Sequence, residues 1–109
     1  MTEFEEIIEA LIQFRDERDW KQFHNPKDLA LAISIESGEL LESFLWKSHE
    51  EAKREKVKEE LADVLAYAFL LAEKYNFNIK DIVLEKIKQN AEKYPVSKSK
   101  GSATKYNEL

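Results

Sequence analysis

Residues 59–72 read EELADVLAYAFLLA, a run of helical character in which Asp63 stands alone among apolar side chains. An unpaired charge buried there would cost several kcal/mol, so the chain needs either a partner cation or an open face at that point. Working outward, Leu29–Ile35 is a second stretch that is apolar nearly all the way round, like Leu61–Ala72. Two such helices in a chain of 109 residues leave apolar surface without cover. Self-association into a homodimer or tetramer is the natural remedy; a single well-covered central helix would account only for Leu61–Ala72.

Composition agrees with a helical reading. Two Gly and two Pro leave few turns from which to build a sheet, and Leu, Ala, Glu and Lys favour long helices. The predicted class is all-α: a four-helix bundle-like protomer, one domain over 1–94, followed by a polar tail over 95–109. Thr2 and Glu5 have capping-box spacing, and Phe4, Ile7, Ile8, Leu11 and Phe14 then mark one face of a first helix to about Arg18. Asn25 followed by Pro26 opens a second helix, expected to reach Trp46. Ser48 with Glu51 repeats the capping-box spacing and predicts a third helix to about Tyr75. Asn78 with Asp81 opens a fourth, closed by the Tyr94-Pro95 step. The tail VSKSKGSATKYNEL is polar enough that composition predicts it to be mobile or ordered by contact.

A formal charge of −5 argues against a partner that is a nucleic-acid polymer or an anionic membrane. An anionic small molecule would have to be held through a cation. No cysteine is present, so a disulfide framework and thiolate chemistry are excluded. The acidic start does not read as a signal peptide and the longest apolar run is too short to span a bilayer. A cytoplasmic location is the expectation.

The acidic residues inside the apolar helices carry the chemistry. Glu36 and Glu39 stand three apart in SIESGELLE, as do Glu60 and Asp63 in KEELADVLAY, so each pair shares a helix face about 4.5 Å apart along the axis. If the two helices pack side by side, four carboxylates face one another and need compensation. Divalent cations that prefer oxygen supply it, Mg²⁺ above all. Glutamates at this spacing are common on solvated faces too; what separates these is their place beside the apolar stretches. Di-iron chemistry is disfavoured, because neither His24 nor His49 follows a glutamate at Glu-x-x-His spacing.

The stretches RDERDWKQFHNPKDLALAISIESGELLESFLWKS, EELADVLAYAFLLAEKYN, KIKQNAEKYP and the closing KYNEL resemble the MazG-like superfamily of all-α nucleoside triphosphate pyrophosphohydrolases, in particular its dCTP pyrophosphatase branch. The resemblance implies Mg²⁺-dependent hydrolysis of a (deoxy)nucleoside triphosphate between the α and β phosphates. Glu36, Glu39, Glu60 and Asp63 match the family's metal ligands and so its catalytic centre. Trp20, Phe23, His24 and Trp46 match positions around the nucleobase and sugar, where aromatic faces stack on a base. Tyr67, one turn after Asp63, is expected at the same pocket. Lys86, Asn90 and Lys93 form a polar stripe that resembles the family's triphosphate segment, with Lys heads acting as point charges. Lys98, Lys100, Lys105 and Tyr106 of the tail would fold over nucleotide or over a neighbouring subunit.

Two departures fall on the substrate side. Animal members carry a histidine where this chain has Leu11, and a longer connection than KSHEEAKREK between helices two and three. dUTP, dTTP or a modified pyrimidine nucleotide therefore stand beside dCTP as substrates. A rival of another class is a non-catalytic helical dimerisation module with a structural cation site.

Overall fold

The computed structural model describes all 109 residues and is wholly helical. Helices α1 (Glu3–Glu17), α2 (Pro26–Glu42), α3 (Arg54–Lys74) and α4 (Ile79–Lys93) are joined by short segments and followed by a single turn, α5 (Val96–Ser99). The chain divides into two compact units, Met1–Asn76 and Phe77–Leu109. No helix is long and apolar enough to cross a membrane.

In the first unit the predicted capping chemistry sets the helix starts. The Thr2 hydroxyl accepts from the Glu5 amide while the Glu5 carboxylate accepts from the Thr2 amide, at 3.1 and 2.9 Å. Asn25 caps α2 by accepting from the Asp28 amide at 2.9 Å, with Pro26 preorganised in the first turn. The third start differs from expectation. Ser48 and Glu51 form a tight turn in which the Ser48 carbonyl takes the Glu51 amide and the Ser48 hydroxyl donates to the Glu51 carboxylate. With its amide already used, that spacing cannot cap, and α3 begins at Arg54 after an extended Lys53. Helix α2 also ends early, at Glu42: Ser43, Phe44 and Leu45 bond carbonyls three residues back, tightening the chain out of α-helical register.

Helix α2 packs chiefly against α3, and α1 lies on α3 as well. Leu29 of α2 and Leu70 and Ala72 of α3 are the buried apolar side chains, Leu29 completely so. Phe4 meets Phe69 edge-on at 6.0 Å, fastening the start of α1 to α3. The outer faces remain bare: Ile35 is 62% exposed and Leu41 71%, with Leu31, Leu61 and Leu65 also open.

In the second unit Asn78 caps α4 through the Asp81 amide, as its sequence predicts. The tail is more structured than its composition suggests, because Tyr106 in a closing 3-10 turn meets Tyr94 edge-on at 6.0 Å and lies under the Lys93 ammonium. An aromatic pair and a cation–π contact supply order that a polar sequence lacks by itself.

Candidate active site

Packing α2 on α3 brings Glu36, Glu60 and Asp63 together so that one carboxylate oxygen of each lies within 4.8 Å of the others. Glu60 is buried, Glu36 half-buried and Asp63 exposed, so the cluster opens to solvent on the Asp63 side. Glu39, one turn along α2, is exposed and flanks the trio. The Glu36 carboxyl is pushed up to about 7, by burial first, then by the Glu39 carboxyl beside it, then by Asp63 and Glu60. Glu60 is held below its ordinary range by Lys56, one turn earlier on α3, whose Nζ stands 2.7 Å from Oε1. The other oxygen of Glu60 and the Oε2 of Glu36 are buried with no hydrogen-bond partner. An all-carboxylate donor set with two orphaned buried oxygens and mutually repelling charges fits a hard divalent cation.

Asp63 also borders a cavity of about 120 Å³ between α1, α3 and the turn after α1. That cavity is built by the end of α1. Asp19 adopts φ of 54°, which an aspartate tolerates better than most residues. The Trp20 amide bonds back to the Arg15 carbonyl at 3.0 Å and the Asp19 amide to Asp16 at 3.1 Å, the two bonds of a Schellman motif. The chain reverses, and the Trp20 ring meets Phe14 at 5.8 Å, edge-on. His24 follows at 6.5 Å from Trp20 and 6.3 Å from Tyr67. Rings from Phe14 to Tyr67 thus line one side of the space that ends at Asp63.

Tyr67 connects the two halves of the site electrostatically. Its hydroxyl is pushed above its usual range by burial and then by the charges of Glu36, Asp63 and Glu39. His24 is pushed the other way, by burial and by the positive charges of Arg15 and Lys74, which favour its neutral form. Its Nδ1 is buried without a partner.

Of the other sequence-predicted residues in the first unit, Phe23 and Trp46 do not line that cavity. Phe23 is exposed on the 3-10 turn Lys21–Phe23. Trp46 is 94% exposed in the loop after α2, with φ of 58°. Lys86 and Asn90 line a shallow depression on α4 with Ile82, Val83 and Ile87, and Lys93 lies over Tyr106. Sequence reasoning missed Arg15, which lines the cavity and is only 3% exposed. Its signal was present: Arg15 falls four residues after Leu11, on the apolar face of α1.

Residues 31–109 match the MazG-like family. The chain belongs to that family. Within it, the chain is similar to the dCTP pyrophosphatase 1 of Mus musculus, 42% identical over 96% of this chain, and to that of Homo sapiens, 39% identical over the same share. It spans 66% of the length of each. It also resembles a crystallised pyrophosphatase from Archaeoglobus fulgidus, with a TM-score of 0.80 and 40% identity, covering 87% of this chain and 94% of the other. The matched segment contains Glu36, Glu60 and Asp63, the three acids that α2 and α3 bring together.

Proposed function

We propose that this MazG-like protein hydrolyses a deoxynucleoside triphosphate, dCTP or a modified dCTP, to the monophosphate and pyrophosphate, cleaning the cytoplasmic nucleotide pool. The observation that carries this reading is the double placement of Asp63, in the carboxylate trio and at the edge of the ring-lined cavity. A nucleotide needs both features side by side, one for phosphates and one for a base. Mg²⁺ held by Glu36, Glu60 and Asp63, with Glu39 beside them, would offset the triphosphate charge, polarise phosphorus and acidify a bound water.

The chain's own groups do the rest. Trp20 and Tyr67 grip the base by stacking, worth about 1–3 kcal/mol per ring, and neutral His24 hydrogen-bonds without adding charge. A carboxylate of the cluster takes the proton from the attacking water. Lys86, Asn90 and Lys93 are assigned to the phosphates by their resemblance to the family segment, with the catalytic domain running over 1–94 and the tail over 95–109. Homo-oligomerisation covers the bare faces of α2 and α3, and the exposed Trp46 and Phe23 belong to the substrate side of that assembly.

Incubating the protein with each deoxynucleoside triphosphate and Mg²⁺, and measuring monophosphate and pyrophosphate, tests the proposal. Release of dCMP and pyrophosphate from dCTP is expected. No turnover of any nucleotide would leave the non-catalytic dimerisation module, a reading that the Lys56–Glu60 ion pair favours because an ammonium already serves one of the acids. Orthophosphate as the product would mean a different bond is cut.

A further inference from the structure

The geometry points to Arg15 as the residue that reads the base, its guanidinium donating to adjacent acceptors on a pyrimidine edge, with Glu73 as the positioning residue behind it. This inference rests on the nucleotide reading of the site. Arg15 is buried, yet its Nη1 has no hydrogen-bond partner. Its Nε donates to Asp16 at 2.9 Å, and Nη1 lies 3.6 Å from the Glu73 carboxylate, too long for a hydrogen bond. The Glu73 Oε2 is likewise buried without a hydrogen-bond partner. A buried donor left unsatisfied is costly, and here it belongs to a side chain on the wall of the cavity that also holds His24.

Size selects the class of ring. The cavity of about 120 Å³ is close to the roughly 150 Å³ that accommodates benzene, a size that suits one six-membered ring better than the two of a purine. Chemistry then selects the edge. Guanidinium offers only donors, in a rigid fork. Cytosine presents two adjacent acceptors, O2 and N3, whereas uracil and thymine place an N–H donor at N3 between their two carbonyls. A fork facing that N–H meets donor against donor. Glu73, which does not itself line the cavity, orients the fork and balances its charge.

Replacing Arg15 alone strands the Glu73 charge, so the decisive variant is the double substitution Arg15→Leu with Glu73→Leu, which leaves neither charge buried. Two measurements are made on it and on the native protein: kcat and KM for dCTP and dUTP with Mg²⁺, and binding of dCMP and dUMP without metal, read by tryptophan fluorescence. In the native protein cytosine should be preferred by about tenfold or more in both, the discrimination typical of a bidentate pair. In the double variant the preference should collapse to about threefold or less, with KM rising more for dCTP than for dUTP. Arg15→Lys, which keeps the charge and loses the fork, should fall in between, and Glu73→Gln should lower the preference in the same sense.

An unchanged preference in the double variant would overturn the inference, as would a native preference for uracil. Absence of turnover would overturn the hydrolase reading instead, and the dCMP-to-dUMP binding ratio would still decide Arg15.

Discussion

Asp63 can be tested with one atom's change. Asp63→Asn removes a negative charge from a crowded trio, so the metal-free protein should melt at the same temperature or higher while nucleotide turnover falls by about 100-fold or more. Full activity in that variant would remove Asp63 from the site. Glu36 makes a prediction with a pH axis. Its folded-state carboxyl sits at about 7 against an ordinary 4.5, so the fold favours the protonated form. The Glu36 contribution to metal-free stability should therefore be fully present below about 4.5 and be lost as pH rises toward about 7. Glu36→Gln should flatten that decline in a thermal-melt series. Because divalent cations need the ionised acid, metal binding should tighten over the same interval and release protons, measurable by calorimetry in buffers of differing ionisation enthalpy.

At the scale of elements, the Asn25 cap holds α2 in place directly after the turn that presents Trp20 and His24. Asn25→Ala should cost about 1 kcal/mol of stability, read as a shifted urea midpoint with an unchanged slope. Local signals of this type were legible in the sequence. Asn25-Pro26, Asn78 and the Thr2–Glu5 box announce helix starts because each cap uses residues three apart, within reach of one another in any helical context. Ser48 and Glu51 satisfy the same spacing but close a turn, since the choice between carbonyl and hydroxyl as acceptor for the Glu51 amide is made by the backbone around them. The site shows the same division. Asp63 was conspicuous as a lone acid in an apolar run. Arg15 was not, because it opens the sequence RDER, which reads as a solvated helix end with cations favoured by the dipole. Its place four residues after Leu11 on the apolar face of α1 was the one local sign of burial, and the pairing with Glu73 on α3 is tertiary.

For the molecule as a whole, the sparse core is the governing feature. Leu29, Leu70 and Ala72 are buried while Leu31, Ile35 and Leu41 of α2 stand open. Stability that depends on covering such a face must depend on concentration. The melting temperature should rise with protein concentration, and light scattering should report a mass of two or four chains; a concentration-independent melt of a single chain would defeat the homo-oligomer. All-α character was readable from composition and periodicity, whereas the partition at Asn76 into two compact units was not, since α4 carries its own cap and its own amphipathic pattern just as the other helices do. The shared position of Asp63, finally, ties two equilibria together. A carboxylate that touches both compartments transmits the occupancy of either to the other, and thermodynamic reciprocity then requires equal help in each direction. Cation and pyrimidine should therefore bind synergistically, and a ring that seats badly should announce itself as a loosened ion.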